Sequence, residues 1–114
     1  MIVRSWSGRA TVDNAHRYAR HFIEAVLPRL DALPGFAGAS LLRRSAAGEI
    51  EFVVLTYWES MEAVARFAGP SPDVAVVDPE ARAVLTSFDD TVLHYEVVGG
   101  VTDPIDIRNS SSGT

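Results

Sequence analysis

The sequence predicts an α+β fold of the ferredoxin-like, split βαβ type, with a four-stranded antiparallel sheet that carries its helices on one face. Two observations predict it. Stretches rich in β-branched and aromatic residues alternate with stretches of helical apolar spacing, in the order β-α-β-β-(α)-α-β. Glycine and proline separate these stretches, and 114 residues suffice for one domain with one hydrophobic core.

The first strand and the first helix are predicted from the N-terminal third of the chain. Residues 1–8 begin with an apolar, β-prone run and form the first strand. From Asp13 onward the apolar spacing predicts an amphipathic helix with one buried face. The apolar residues of that face are Ala15, Tyr18, Ala19, Phe22, Val26 and Leu30. Pro28 predicts a bend or an end in the last turn, because proline has no backbone N–H.

A β-hairpin follows the first helix. The residues "LPGF" at 33–36 break the helix and lead into a strand at 36–44, a turn at 45–49 and another strand at 50–58. The second of these strands is the most apolar stretch of the chain, which predicts that both of its faces are buried.

Two short helices and a final strand complete the predicted domain. Ser60 caps the first of these helices, and Pro79 occupies the favoured first position of the other. Residues 91–98 alternate in polarity as a strand does. We therefore assign residues 1–98 to the domain and residues 99–114 to a C-terminal tail that is partly flexible.

Composition excludes several classes of protein. The net charge is −5 and the chain has no cysteine, so disulfides, thiolate metal sites and cysteine nucleophiles are absent. No basic stripe is present, so we expect no nucleic-acid partner. No apolar run reaches the roughly 18 residues that span a bilayer, and the N-terminus lacks a signal-peptide pattern. We expect a cytoplasmic protein without a membrane partner.

The predicted sheet also indicates an oligomeric state. Its third strand is apolar on both sides, so the face away from the helices would expose a large apolar patch in a single chain. A two-fold dimer that packs sheet against sheet covers this patch. We therefore expect a homodimer, which makes the fold a dimeric α/β barrel.

Three segments carry a resemblance to a known family. The residues "LPGFAGASLLRR", "EFVVLTYWESMEAVARFAG" and "TVLHYEVV" resemble the antibiotic biosynthesis monooxygenase-like superfamily of dimeric α/β-barrel proteins, over about residues 1–98. Members of that superfamily include cofactor-independent monooxygenases of polycyclic phenols and quinols, haem-degrading enzymes, and small proteins without known activity. The resemblance thus implies a monooxygenase-like protein that acts on an aromatic or polyketide-like compound without a cofactor.

The site residues implied by the resemblance are only partly present. Trp58 matches the cavity-lining tryptophan of the polyketide-oxidising members, but the positions of their asparagine and tyrosine hold Val54 and Val64. The second tryptophan and the histidine of the haem-degrading members correspond to Phe67 and approximately Val77. The resemblance therefore implies no haem oxygenase of that kind, and the polar groups of a cofactor-free monooxygenase would come from elsewhere in the chain.

Two residues are candidates for catalysis. His94 lies mid-strand near the expected cavity, where an imidazole with a pKa near 6.5 can act as a general base. The alternative is a hydrogen-bonded structural histidine. Arg4 projects with Trp6 from the first strand and could stabilise an anionic or phenolic ligand, the alternative being a surface arginine that lies over a tryptophan.

The remaining candidates line a predicted pocket. Trp58 either packs in the core beneath the short helix or forms a pocket wall, and the two are compatible. Tyr18 and Phe67 lie on apolar helix faces, so they are core residues or cavity walls, while Trp6 accompanies Arg4. His21 could touch a pocket edge. His16 lies five residues earlier and faces another direction, so no metal site is expected.

Three functions remain open at this point. The first is a cofactor-independent monooxygenase with His94 as the base and Arg4 as the anion stabiliser. The second is a non-catalytic ligand-binding or accessory protein of the same fold, because a fold does not fix a function. The third is an isomerase or cyclase that uses the same cavity. A polar-edged cavity that contains His94 would favour the enzymes.

Overall fold

The computed structural model describes residues 1–100 and contains five strands and four short α-helices. The strands are β1 (Ile2–Ala10), β2 (Phe36–Ala46), β3 (Glu49–Trp58), β4 (Ser87–Phe88) and β5 (Leu93–Glu96). The helices are α1 (Ala15–His21), α2 (Leu27–Asp31), α3 (Met61–Ala68) and α4 (Pro79–Val84), and a π-helical segment at Phe22–Val26 joins α1 to α2. The predicted α+β, ferredoxin-like fold is confirmed.

The sheet is antiparallel and has the order β2-β3-β1-β4, with β5 also paired to β1. β4 pairs with Gly8 and Arg9, whereas β5 pairs with the other end of β1 at Ile2–Ser5. The two short strands therefore share the fourth position of the sheet. The prediction of a single final strand over 91–98 was wrong in its bounds. Two short strands pair with β1 instead, because residues 89–92 between them are not part of a strand.

The first helix is continuous but changes its winding. In the π-helical segment the backbone N–H of Leu27 donates to the carbonyl of Phe22, five residues earlier. Pro28 follows at the start of α2, where a missing N–H costs nothing. The proline predicted to bend or end the last turn thus begins a further α-helical turn that reaches Asp31.

The connections follow the residues that the turns require. Ala47 and Gly48 join β2 to β3 with positive φ angles of 52° and 80°, which is the two-residue hairpin turn that matches strand twist. Gly35, before β2, has φ of +82°, and a Cβ there would lie 2.5 Å from the Cβ of Ala63. Only glycine fits this close approach of the loop to α3.

Helix caps were predictable from the sequence. The Ser60 hydroxyl accepts a hydrogen bond from the Ala63 N–H at 3.2 Å, and the Asp78 carboxylate accepts one from the Ala81 N–H at 2.8 Å. Both satisfy N–H groups that the first helical turn leaves without partners. The predicted starts of α3 and α4 are therefore confirmed.

The two faces of the sheet differ in burial. On β3, Phe52 and Val54 are buried beneath the helices, whereas Val53 and Leu55 on the opposite face are only half-buried. In a single chain the expected burial of both faces of β3 thus holds for one face only. Leu93 and Tyr95 lie on the same outer face and are exposed, so they do not pack in the main core.

Two further predictions concern the ends of the chain and membranes. Most of the predicted tail, at 101–114, lies outside the described residues. Among residues 1–100, no helix is long and apolar enough to cross a bilayer.

Candidate functional site

A cavity of about 90 Å³ lies between the first helix and the inner face of the sheet. Its third wall is the α3–α4 connection, residues 69–78. Apolar side chains form most of the lining, and the polar exceptions come from four elements. Those exceptions are Arg4 of β1, Tyr18 of α1, Thr56 of β3 and Asp78 at the start of α4.

Arg4 is the buried cation of this cavity. Residue Arg4 is 5% exposed, and it lies opposite Thr56 in the sheet. Its guanidinium donates to the carbonyls of Pro72 and, at 3.1 Å, of Val74, which fixes the α3–α4 connection against β1. Burial lowers the Arg4 pKa, and the carboxylate of Asp73 raises it. The Nε–H and one Nη2–H have no hydrogen-bond partner among residues 1–100.

His94 lies beside Arg4 and does not line the cavity. Its Nε2 is 2.9 Å from the Arg4 Nη1, and because a guanidinium only donates, Nε2 is the acceptor. The proton is then on Nδ1, which faces Asp73 Oδ1 at 3.4 Å. Burial, together with the charge of Arg4, lowers the His94 pKa, so the ring is neutral at pH 7. In this arrangement His94 positions Arg4, and its lone pair is not open to a ligand.

Tyr18 presents a hydroxyl to the cavity. Its ring packs on Phe52, with ring centroids 4.9 Å apart, and on Trp6 at 6.3 Å. The hydroxyl has no hydrogen-bond partner among residues 1–100, yet no fully enclosed side-chain oxygen in that range lacks one. The hydroxyl therefore borders open cavity space. Burial raises the Tyr18 pKa and the negative charge of Asp78 raises it further, so the group remains a protonated donor.

Asp78 is held by two different elements. Besides capping α4, its carboxylate oxygens lie 3.0 and 2.8 Å from Nε2 of His21 on α1. Burial raises the Asp78 pKa, but the Ala81 N–H, His21 and Arg29 together lower it below the usual value. The other ring nitrogen of His21 is 3.1 Å from Glu80, so both contacts are hydrogen bonds when the ring carries both protons.

Two aromatic residues predicted for the site do line the cavity. Trp6 is anchored by its indole N–H, which donates to the Asp89 carbonyl at 2.7 Å. Phe67 of α3 lies under the Arg4 guanidinium, with 5.6 Å between the guanidinium carbon and the ring centroid. Within the protein, the aromatic ring below the Arg4 guanidinium is thus Phe67, whereas the sequence had placed Arg4 with Trp6.

Trp58 packs in the core and does not line the cavity. It is fully buried, and its ring stacks on Phe67 at 5.3 Å and meets the edge of Phe36 at 5.4 Å. Its indole N–H donates to the Thr56 hydroxyl at 2.8 Å. Of the two interpretations of Trp58, the structure favours core packing, and the residue touches the site only through its neighbours.

Comparison with known proteins places this geometry in a family. A sequence model described as "Antibiotic biosynthesis monooxygenase" matches residues 1–71, more than half of the chain. The chain belongs to the antibiotic biosynthesis monooxygenase family. The resemblance predicted from the sequence is therefore confirmed. No curated protein sequence matches this family member.

Solved structures resemble this family member over most of its length. The haem degrader MhuD from Mycobacterium tuberculosis, with two haems bound in its active site, is 27% identical with a TM-score of 0.57, covering 90% of this chain and 100% of that chain. A variant of MhuD with two manganese protoporphyrin IX molecules is 26% identical with a TM-score of 0.65 over the same shares. The cofactor-independent oxygenase SnoaB from Streptomyces nogalater is 21% identical, with a TM-score of 0.57, covering 89% and 98% of the two chains; that likeness concerns the fold.

The residues of this family member do not fit a haem. A haem iron needs a protein ligand, most often a histidine, and at this cavity it would have to come from the lining residues. No histidine lines the cavity: His94 is bonded to Arg4, and His21 is bonded to Asp78. Within residues 1–100 no group of three or more acidic or histidine side chains could hold a metal ion.

Sequence reasoning missed three residues of this site in the antibiotic biosynthesis monooxygenase domain. Asp78 directly precedes Pro79 at the predicted start of a helix, and nothing in that local position indicates that its carboxylate also lies on the cavity wall. Asp73 carries no local signal, because its role depends on a partner far away in sequence, His94. Thr56 lies two residues before Trp58 on β3, but the hydrogen bond between their side chains is not announced by the residue types alone.

Proposed function

We propose that this family member is a small, cofactor-independent monooxygenase that acts on a hydroxylated aromatic compound. One observation carries the proposal: a buried guanidinium, with two N–H groups that have no hydrogen-bond partner among residues 1–100, lines a mostly apolar cavity. A buried cation of this kind favours an oxyanion, and in a dry cavity its effect is larger than in water. Trp6 and Phe67 supply flat walls for an aromatic ring.

The chemistry requires no metal or organic cofactor. A phenol gives its proton to water, and the phenolate transfers one electron to O₂ to give a phenoxyl radical and superoxide. The two combine at a ring carbon to give a peroxide anion, which takes a proton back from water to form a hydroperoxide. The hydroperoxide loses water to leave a quinone. One phenol and one O₂ thus become one quinone and one water. Arg4 would stabilise the phenolate, and His94 would hold Arg4 in place.

The cavity has to widen for such a substrate. Even benzene fills a cavity of about 150 Å³, compared with about 90 Å³ here. The α3–α4 connection is the wall that we propose to move, because it has no regular secondary structure between α3 and α4 apart from one bridge from Val74 to Thr91. Arg4, which binds the carbonyls of Pro72 and Val74, would couple this movement to ligand binding.

Oxygen uptake tests the function. With anthrone, the keto form of a tricyclic phenol, we expect the wild type to consume one O₂ per anthraquinone formed, after enzyme-free oxidation is subtracted. Arg4→Lys should lower the rate about tenfold, because an ammonium cannot reproduce the guanidinium fork. Arg9→Lys is the matched control, since Arg9 lies on the same strand but faces Glu51 and Asp89. Equal rates with and without protein would contradict the proposal.

A non-catalytic ligand-binding protein is the second candidate. The observation that favours it is the engagement of the His94 lone pair by Arg4, which leaves the predicted base unavailable. Such a protein would bind the same aromatic compounds without consuming O₂, so the oxygen measurement separates the two functions. The catalytic role of His94 itself stays a prediction.

We further propose that two copies of the chain pack their sheets together. Leu93 and Tyr95 are 62% and 53% exposed on the outer face, and Val3 and Leu55 lie half-buried beside them. Together with Leu42 on β2 they form an apolar face that is free of covering helices.

Leu93→Glu tests this dimer. We expect it to raise the dissociation constant of the dimer at least about 100-fold, because the carboxylate would be buried without a partner. Light scattering after size exclusion measures the change. Val12→Glu is the control, since Val12 is 63% exposed but lies in the turn after β1. A wild-type monomer, or a dimer that Leu93→Glu leaves intact, would contradict the sheet-to-sheet arrangement.

A further inference from the structure

The cavity has two polar ends, and they differ in chemistry. At one end Arg4 offers only donors, because a guanidinium accepts no hydrogen bond, and the neighbouring Thr56 hydroxyl already accepts from the Trp58 indole N–H. The other end holds the Tyr18 hydroxyl, a donor and acceptor, and the Asp78 carboxylate, an acceptor. A ligand that satisfies both ends therefore needs a different group at each.

The spacing along β1 separates these ends. Arg4 lies opposite Thr56, and Phe52, on which the Tyr18 ring packs, lies opposite Gly8. Four residues separate Arg4 from Gly8, which corresponds to roughly 13 Å of strand at about 3.3 Å per residue. The long Arg4 side chain shortens the gap between the polar groups, so an aromatic ring system could lie between them once the cavity has widened as proposed above.

Tyr18 is the group that most needs a ligand. The residue is 3% exposed, and its hydroxyl has no hydrogen-bond partner among residues 1–100 although it borders the cavity. Buried tyrosine hydroxyls normally find a partner, because leaving one without any is costly. The hydroxyl can therefore be partnered by a molecule in the cavity, which is water in the free protein and an acceptor group of the ligand in the complex.

Asp78 adds the second half of the recognition. The Ala81 N–H and the His21 ring hold its carboxylate from two elements, so the oxygens are fixed before a ligand enters. The pKa of Asp78 lies below the usual value, so the carboxylate is charged at pH 7 and can accept a further hydrogen bond from a ligand donor. A group that accepts from Tyr18 and donates to Asp78 is a hydroxyl.

We infer that Tyr18 and Asp78 form a hydroxyl-recognition subsite, which selects aromatic compounds that carry one protonated hydroxyl there and a carbonyl or phenolate oxygen at Arg4. This inference rests on the proposed function for the identity of the ring system. It adds the ligand's orientation and its required substituents. Methylation of the ligand hydroxyl that lies at Tyr18 and Asp78 removes the hydrogen-bond donor to Asp78 and adds a methyl group. We therefore expect the subsite not to bind the corresponding methyl ethers.

Binding of 2-naphthol and its methyl ether, 2-methoxynaphthalene, tests the subsite by isothermal titration calorimetry. We expect the wild type to bind 2-naphthol at least about tenfold more tightly than the ether. Tyr18→Phe should weaken 2-naphthol about fivefold, and Asp78→Asn about tenfold while reducing the discrimination between the probes. Asparagine caps a helix as well as aspartate, so the second variant keeps the start of α4.

Matched controls remove the same groups outside the cavity. Glu80→Gln takes the other carboxylate away from His21, and Tyr95→Phe removes an exposed hydroxyl; both should bind 2-naphthol within about twofold of the wild type. Equal affinity of the two probes for the wild type, or no binding of either, would overturn the subsite. If the protein prefers 2-naphthol to its methyl ether but consumes no O₂ with anthrone, the subsite is supported and the oxygenase function is rejected. If it consumes O₂ but binds the two probes equally, the oxygenase function is supported and the subsite is rejected.

Discussion

Trp58→Ala is expected to lower the free energy of unfolding by about 3–5 kcal/mol, the range for removing a large buried aromatic side chain. Trp58 is fully buried between Phe36 and Phe67, and its indole N–H satisfies Thr56. Alanine would leave a cavity at the junction of β3 and α3 and an unpartnered hydroxyl. Urea denaturation followed by circular dichroism measures the change, and the comparison applies when the unfolding free energies of both proteins depend on urea with a similar slope.

Trp58→Phe separates the two interpretations of this residue. Phenylalanine keeps most of the ring contacts and loses only the hydrogen bond to Thr56, so we expect a loss of about 1 kcal/mol. Because Trp58 does not line the cavity, the folded variant should bind 2-naphthol within about twofold of the wild type. A loss of binding with unchanged stability would show instead that Trp58 is a pocket wall.

Arg4→Met is expected to destabilise the protein by about 2–4 kcal/mol, because removing a buried donor orphans its partners. The carbonyls of Pro72 and Val74 would lose the guanidinium that ties the α3–α4 connection to β1. Arg9→Met is the control on the same strand. Arg9 is more exposed and makes surface ion pairs, which contribute little to stability. Equal losses for the two variants would contradict a special role of Arg4.

The same variant has a second, spectroscopic consequence. Burial, followed by the charge of Arg4, lowers the His94 pKa, so removing Arg4 should raise it. In the wild type the unfolded chain binds the proton first, and stability therefore falls as the pH drops through 6.5 towards the lower folded pKa. In Arg4→Met this loss should shrink. NMR titration of the His94 ring measures the pKa, and an unchanged value would mean that Arg4 is not its neighbour in solution.

Local signals predicted most of the fold. Ser60 and Asp78 preceded their helices with cap chemistry that depends only on the next turn, and Gly48 marked the hairpin. The break between β4 and β5 was not predictable in this way. Residues 91–98 alternate throughout, but the pairing of Ser87 with Arg9 depends on contacts far away in sequence.

The sequence identified several residues that line the cavity, but it did not identify the role of each one. Arg4, Trp6, Tyr18 and Phe67 do line the cavity. His94 lies next to Arg4 as the strand pairing suggested, but the direction of its lone pair depends on a side-chain hydrogen bond that no spacing reveals. Asp78 was not among the predicted site residues, because its place before Pro79 at a helix start does not indicate that it lies on the cavity wall.

The π-helical segment keeps the side chains of the first helix that form one wall of the cavity facing the same direction. Tyr18, Phe22, Val26 and Leu30 all face the cavity at a constant step of four residues. An α-helix has 3.6 residues per turn, so a step of four drifts by about 40° each time, and the wider π-turn offsets that drift. The alignment of this wall is therefore encoded in the number of residues between Tyr18 and Leu30, so length changes there are more disruptive than conservative substitutions.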